Sequence, residues 1–173
     1  VLNVIKGGDP AATSLAIKMI RELKDKSNFR TIAAELPNLS DAHKVQLLAA
    51  FGDVGDPSVR EFAVKATGCK AVEVRIAALK ALANLGDAST VGLLADKAAN
   101  TVLAEQEVAR ASLALLKGRD VDPQIMKSID DADPKIRVEL INALGERNAK
   151  DAVDKVFELT KSDNARVRRA SIG

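Results

Sequence analysis

The apolar residues of the chain recur at three- and four-residue steps, as they do on one face of an α-helix. In the segment 74–85 these positions are Val74, Ala78, Leu82 and Leu85. Gly86-Asp87 follows, a helix stop and then a residue typical of an N-cap. A second helical pattern comes next, with Val91, Leu94, Ala95 and Ala98 on its inner side. Because no stretch alternates apolar and polar residues as a half-buried strand does, the pattern predicts an all-α chain.

Similar segments recur at an interval near 31 residues. Val74-Arg75 opens one of them, Ile136-Arg137 opens another 62 residues later, and Val167-Arg168 opens a third after a further 31. His43-Lys44 occupies the corresponding place one interval before the first. The interval also holds at long range, since Asp9-Pro10 and Asp133-Pro134 are 124 residues apart, four times 31. Self-similarity with a period of about 20–50 residues is typical of solenoids.

The interval predicts one continuous array of two-helix units, without a Ser-, Gly- or Pro-rich linker. The predicted units span residues 9–39, 40–70, 71–101, 102–132 and 133–162. We interpret residues 1–8 as the end of a preceding repeat and 163–173 as the start of a further one. The chain is therefore expected to be a fragment of a longer protein, with apolar surface left open at its ends by Leu2, Ile5, Val167 and Ile172.

Two details refine this array. Asp-Pro pairs and Gly55-Asp56-Pro57 predict helix starts, because the missing N–H of proline costs nothing in the first helical turn.

The fourth unit is the least regular. Its apolar positions, read as Val108, Ala111 and Leu115, are predicted to drift by a residue or more from those of its neighbours.

These features resemble HEAT repeats, especially the short bacterial HEAT-like repeats also found in phycobilin lyases. Three features carry the resemblance: the Asp-Pro helix starts, the apolar-Arg pairs and the helix end at Leu85-Gly86-Asp87. The resemblance covers essentially the whole chain. It implies an armadillo-like α-solenoid, in which antiparallel helix pairs stack into a right-handed α–α superhelix with the second helices on the concave face. It also implies a role in protein–protein contacts. His43 departs from the pattern, as does the fourth unit, which lacks a clear apolar-Arg pair.

Composition narrows the classes of function. Hydrophobic residues make up 47% of the chain and aromatic residues only 2%, which suits thin, closely packed helices. The net charge of +2 arises from 26 basic and 24 acidic residues and gives no overall attraction to nucleic acid or anionic lipid. No apolar run approaches the ~20 residues of a membrane span. One cysteine, Cys69, excludes an internal disulfide and a Cys-based zinc cage, and fits a reducing compartment such as the cytoplasm.

The sequence contains no catalytic constellation, so we predict neither an enzyme nor a metal or cofactor site. His43 is the only histidine and is expected to pack or to face solvent, because no second ligand stands near it. Cys69, in a turn between units, has no base beside it. Asp130-Asp131 is assigned to a capping loop between the fourth and fifth units. Gly7-Gly8 lacks the Gly-Lys-Ser/Thr that completes a P-loop.

The exposed side of the second helices remains as the candidate binding surface. Subtracting the inward positions leaves Arg30, Glu61, Lys65, Asp96, Lys97, Lys127, Lys155 and Glu158. Lys65, Lys97 and Lys127 recur at intervals of 32 and 30 residues, so stacking could align them as a basic stripe, diluted by the interleaved acids. The Arg residues of the apolar-Arg pairs are instead expected to hydrogen-bond the Asp residues at neighbouring repeat starts.

Three functions stay open at this point. The preferred one is a non-catalytic scaffold whose concave face binds a protein partner. The second is nucleic-acid binding, as in the HEAT-like DNA glycosylases, through the basic stripe together with Arg166, Arg168 and Arg169; the near-neutral charge and the absence of Trp and Tyr argue against it. The third is a HEAT-like domain attached to an enzyme, such as a bilin lyase, where the resemblance implies that the repeats position a chromophore.

Overall fold

The computed structural model describes residues 1–172, and within them the regular structure is helical, without strands. Six α-helices lie in the first half: α1 Leu2–Lys6, α2 Pro10–Met19, α3 Phe29–Ala33, α4 Asp41–Val54, α5 Arg60–Ala66 and α6 Val72–Leu85. Six more follow: α7 Val91–Asn100, α8 Leu103–Leu115, α9 Val121–Asp131, α10 Pro134–Glu146, α11 Val153–Leu159 and α12 Ala165–Ile172. The predicted all-α class is confirmed.

The chain divides into two compact units, the first ending at Gly86 and the second beginning at Asp87. In the first unit α4 packs between α2 and α6, and α5 lies against α6. In the second unit α10 contacts α7, α8, α9 and α12. Each of the five segments predicted as repeats contains two α-helices. Their boundaries as repeats, the right-handed superhelix and its concave face stay predictions.

The 31-residue interval is visible in the burial of the first helices. One series of positions is at most 4% exposed in every segment: Ala16, Leu47, Ala78, Ala109 and Leu140. The series one helical turn later is at most 2% exposed: Ile20, Phe51, Leu82, Leu113 and Leu144. Side chains four residues apart lie on the same face of a helix, so the two series form the apolar stripe that each first helix buries.

The predicted drift of the fourth unit is wrong. In α8 the inner side is formed by Ala109 and Leu113, which keep the strict interval, whereas Leu115 is 63% exposed and Ala111 is also exposed. Two polar residues, Glu105 and Ser112, are buried at the positions that Val74 and Ala81 hold one interval earlier. Because polar side chains fill interior positions here, the apolar pattern alone indicated the wrong face.

The predicted helix starts are confirmed by their caps. The carboxylate of Asp9 accepts a hydrogen bond from the Ala11 N–H, and that of Asp133 accepts from Lys135 and Ile136. Asp56 and Asp87 do the same for short 3₁₀ turns that lead into α5 and α7. Each cap satisfies an N–H that has no partner inside its helix.

The ends of the chain depart in part from expectation. Ile5 and Val167 were predicted to lie open but are buried, at 3% and 0% exposure, because α1 packs on α2 and α12 packs on α10 and α11. Leu2 is half-buried, and Ile172 is 75% exposed, as predicted. Across residues 1–172 no helix is long and apolar enough to cross a membrane.

Candidate functional site

Four of the side chains on α3 and α5 form one group, which we call the Arg30–Phe62 cluster: Arg30, Glu61, Phe62 and Lys65. Arg30 Nη2 donates to Glu61 Oε1 at 2.6 Å, and Arg30 Nη1 donates to the carbonyl oxygen of Ser58 at 3.0 Å. The Arg30 guanidinium lies 5.8 Å and the Lys65 ammonium 5.6 Å from the centroid of the Phe62 ring. Three of the predicted surface residues, Arg30, Glu61 and Lys65, are thus brought together around the ring of Phe62, which is not one of them.

The spacing of Phe62 from Val59, Ala63 and Ala66 predicts that it lies on the inner side of α5, and this prediction is wrong. Val59, Ala63 and Ala66 are buried on that side, whereas Phe62 is half-buried and carries the two cations. A cation within about 6 Å of a ring is attracted by the negative face of the π-system. The spacing of apolar residues could not show this, because an aromatic ring can pack on one edge and present a face to solvent.

The other predicted surface residues lie in the second compact unit. Asp96 accepts a hydrogen bond from Asn100 at 2.9 Å, and Lys97 beside it is half-buried. Lys127 on α9 and Glu158 on α11 are exposed. Lys155 forms an ion pair with Asp130, at the end of α9. The acids therefore neutralise part of this surface. The basic stripe of Lys65, Lys97 and Lys127 stays a prediction.

The Arg residues of the apolar-Arg pairs bind main-chain carbonyl groups in the turn before their own helix. Arg137 Nη2 donates to the oxygens of Asp130 and Ala132, and Arg168 Nη1 donates to those of Ser162 and Asp163. Arg75 Nη1 donates likewise to Cys69 and Lys70, at 2.9 and 2.7 Å. The predicted Asp side-chain partners are therefore wrong for Arg137 and Arg168. A guanidinium presents several N–H donors in one plane and can hold two carbonyls of one turn at once.

The fourth predicted unit, which has no apolar-Arg pair, also contains a side-chain hydrogen bond to a main-chain carbonyl group of the preceding turn. Gln106 occupies the place one interval after Arg75, and its Nε2 donates to the carbonyl oxygen of Thr101 at 2.9 Å. The amide of glutamine supplies the N–H donor without the charge. The fourth unit therefore has this hydrogen bond although its sequence lacks the basic residue.

Two further arginines join segments of the second compact unit and were not identified from the sequence. Arg110 on α8 pairs with Glu139 on α10 through Nε–Oε2 and Nη2–Oε1 bonds of 2.6 and 2.7 Å. The hydrogen bond to Glu139 raises the pKa of Arg110 above its usual value. Arg147 binds Asp122 and the carbonyl oxygens of Ala114 and Leu116. In the sequence, both arginines are charged residues at the edge of an apolar helix face. This pattern is too common to identify these two residues.

Hydrogen bonds also hold carboxylates in the first compact unit in their charged form. Asn38 and then Lys6 lower the pKa of Glu35, and the hydroxyl and the N–H of Ser58 lower that of Asp56. Within residues 1–172 no group of three His, Cys, Asp or Glu side chains is arranged to hold a metal ion. The groups that lower these two pKa values are the Asn38 amide and Lys6 for Glu35, and Ser58 and Lys26 for Asp56.

The remaining reactive side chains have structural contacts. His43 Nε2 lies 3.2 Å from Ser14 Oγ, which joins α4 to α2. Cys69 lies in the turn after α5, as predicted, and its carbonyl group binds Arg75. Asp130 and Asp131 were placed in a loop, and this is wrong, because both belong to the last turn of α9. Asp130 binds Lys155 from this position.

Comparison with known proteins agrees with this architecture. The family model described as HEAT repeats matches residues 122–173, a segment that includes most of α9 and the helices after it. The resemblance to HEAT repeats is thereby confirmed by a match over this segment. HEAT repeats are generally elements of protein-interaction scaffolds. No curated protein matches the chain.

Proposed function

We propose that the chain is a non-catalytic scaffold that binds a protein partner through the exposed side of its second helices. The Arg30–Phe62 cluster is the observation that supports this function best. Arginine and aromatic side chains are enriched among the residues that dominate the energy of protein interfaces. Here both types lie on one accessible patch, and the Phe62 ring is half-buried.

The ion pair inside the cluster is suited to exchange with a partner. Arg30 and Glu61 are 59% and 46% exposed in their side chains, and an ion pair this accessible stabilises the chain by only ~0–1 kcal/mol. A carboxylate of a partner can therefore replace Glu61 at little cost. The cluster then offers two cations beside an apolar ring, which favours a protein segment with an acidic residue next to an apolar one.

A pull-down from the lysate of the source organism tests the proposal. The bait is compared with the double variant Arg30→Glu, Lys65→Glu and with the control Lys80→Glu, which reverses an exposed charge on a first helix, α6. We expect a discrete protein that the wild-type chain and the control retain and the double variant loses. Retention by all three baits would exclude the cluster as the binding site, and the absence of any retained protein would remove the support for a scaffold.

A gel-shift titration separates this function from nucleic-acid binding. Arg168 is held by two carbonyl groups and Lys155 by Asp130, so two of the cations near the end of the chain are already engaged. We expect no shift of single- or double-stranded DNA at low salt. A shift that weakens steeply with salt would favour the nucleic-acid function instead.

A further inference from the structure

One position of each helix pair has a long side chain with N–H donors, and the first unit is the exception. Counted in intervals of 31 residues, the later units have Lys44, Arg75, Gln106, Arg137 and Arg168 at this position. The last four of these donate to carbonyl oxygens that lie five to seven residues earlier, in the turn before their own helix. Thr13 is the equivalent residue of the first unit, and its short side chain has only a hydroxyl group.

A cavity lies beside Thr13. It has a volume of about 410 Å³, and its lining includes Lys6 and Gly8. These two residues are seven and five positions before Thr13, as the two acceptors of Arg137 are before that arginine. Thr13 is 2% exposed, and its hydroxyl forms no hydrogen bond within residues 1–172. The cavity therefore occupies the space in which a longer side chain at position 13 would lie.

The cavity lies between two successive turns of the chain. Residues between 6 and 10 line one wall and residues between 35 and 40 the other, and Lys6 Nζ lies 3.2 Å from Glu35 Oε1 between them. The first helix of the second unit, α4, packs on α2. Since the units of a repeat array contact only their neighbours, a helix pair before residue 1 would pack on the side of α2 opposite α4, away from the second wall.

Two acceptors at the cavity suit a guanidinium group, which presents five N–H donors in one plane. The carbonyl oxygen of Gly8 accepts no hydrogen bond within residues 1–172. The Glu35 side chain is 18% exposed and is charged at neutral pH, because hydrogen bonds from Asn38 and then Lys6 lower its pKa. Ile5 and Leu39 also line the cavity and can contact the apolar stem of an arginine.

We propose that this cavity binds the guanidinium group of an arginine that another molecule supplies. The group donates to the first turn, as Arg75, Arg137 and Arg168 do within the chain, and it also donates to the carboxylate of Glu35. The site goes beyond the proposed function, because it shares no residue with the Arg30–Phe62 cluster. An arginine side chain of a protein and free arginine have the same group, so this chemistry defines the site.

Lys6 is the cation that competes with an incoming arginine. Its ammonium is paired with Glu35, but its side chain is 52% exposed, so the pair is screened by water and weak. The planar fork of a guanidinium matches a carboxylate better than an ammonium does. Removal of the competitor in Lys6→Met should therefore lower the dissociation constant for arginine several-fold.

Titration of the purified chain with N-acetylarginine amide, followed by the backbone amide shifts in NMR spectra, tests the site without any other protein. We expect a dissociation constant of about 1 mM, with shifts at Gly8 and Glu35. The citrulline analogue has the same length without the charge and should bind about tenfold more weakly or worse. Glu35→Gln should weaken the binding of the arginine probe by a similar factor, because it removes the charge of the acceptor.

Comparison with free L-arginine identifies the source of the group. The free amino acid has an ammonium and a carboxylate on its Cα, whereas the blocked form resembles a residue within a protein. Tighter binding of the blocked form assigns the site to an arginine side chain of a protein, and tighter binding of L-arginine assigns it to the amino acid. Either order supports a guanidinium site.

Thr13→Arg tests the position of the site, because it introduces the residue type that later units have there. Its own guanidinium should fill the cavity, abolish binding of the arginine probe and raise the urea midpoint of unfolding. The matched control is Thr31→Arg, which adds the same charge at an exposed threonine of the same compact unit outside the cavity, and it should leave binding unchanged. Circular dichroism of every variant checks that the helices remain.

Three results would overturn the proposal. One is the absence of shifts with the arginine probe up to about 20 mM. Another is equal binding of the arginine and citrulline probes, which would mean that the cavity does not recognise the charge. The third is binding that survives both Glu35→Gln and Thr13→Arg, which would place the bound arginine elsewhere.

Discussion

Arg110 and Glu139 form a two-bond ion pair across 29 residues of sequence and join α8 to α10. The Glu139 side chain is only 8% exposed, whereas the Arg110 side chain is 39% exposed, so the acid is the buried partner and the guanidinium shields it from one side. The second compact unit thus buries a charged side chain at the contact between α8 and α10. A buried carboxylate is tolerated only while its partner remains.

We predict that Arg110→Met destabilises the chain by about 1–2 kcal/mol at pH 7. Methionine keeps the apolar stem but removes both donors, and the partial exposure of Arg110 limits the loss through solvent screening. Urea unfolding followed by circular dichroism measures the change. The control is Arg21→Met, whose partner Asp53 is 60% exposed, and it should cost no more than about 0.5–1 kcal/mol. Equal losses in the two variants would show that burial of the acid has no effect.

We predict that Gly52→Ala is destabilising although it places a better helix former inside α4. A Cβ at this position would lie 3.0 Å from the Ala81 Cα, so α4 and α6 would have to separate. Overpacking of this kind costs about 1–3 kcal/mol. Gly92→Ala in α7 is the control, because nothing lies within 4 Å of a Cβ there, and it should gain up to about 1 kcal/mol. Thermal or urea unfolding distinguishes them, and a stabilised Gly52→Ala would contradict the close approach.

We predict that Leu140→Ala costs about 2–5 kcal/mol and that Lys127→Ala is nearly neutral. Leu140 is fully buried on the inner side of α10, whereas Lys127 is exposed on α9. The free energy of unfolding of each variant gives the comparison. Small and equal effects would mean that the helix faces are wrongly assigned.

We predict that Asp56→Asn costs less stability in acid than at neutral pH. Hydrogen bonds from Ser58 lower the pKa of Asp56 below its ordinary 3.8, so the carboxylate stabilises the folded state above that pH. This contribution is lost as the pH falls through the folded-state pKa, whereas asparagine does not titrate. The difference in unfolding free energy between wild type and variant should therefore shrink between pH 5 and about pH 2.

The effect of salt on wild type and Asp56→Asn distinguishes the two causes of the lowered Asp56 pKa, the Ser58 hydrogen bonds and the Lys26 charge. The Lys26 ammonium is 3.9 Å from Asp56 and contributes less to the lowered pKa than the Ser58 hydrogen bonds. Salt screens the charge but not the hydrogen bonds. The pH-dependent difference should thus persist at about 0.5 M salt, and a difference that vanishes there would assign the effect to Lys26.

The sequence predicted the fold well wherever apolar side chains recur on one helix face. Leu82 and Leu94 were correctly assigned to the interior, and the caps at Asp9 and Asp133 begin their helices as expected. The assignment failed at α8, because Glu105 and Ser112 are buried there. Periodicity of hydrophobicity cannot identify a polar residue that fills an interior position, but the strict interval, counted from Ala78 to Ala109, would have done so.

The candidate surface was less predictable. Arg30, Glu61 and Lys65 were correctly taken as accessible, since they lie outside the apolar positions of their helices. Their arrangement around Phe62 depends on distances between α3 and α5, which are about thirty residues apart in the chain, and on the orientation of a ring. Sequence spacing defines which side of one helix a residue occupies, but not which residue of the neighbouring helix it meets.

The carbonyl groups held by Arg75, Arg137 and Arg168 have a consequence for the modularity of the chain. Every peptide unit has the same carbonyl oxygen, so the hydrogen bonds from these arginines do not require particular residue types in the turn that accepts them. A turn can therefore change its sequence, and one helix pair can be transplanted beside another, without a matching substitution across the joint. Only the donor at one position of each helix has to be kept, and Gln106 shows that even its charge is dispensable.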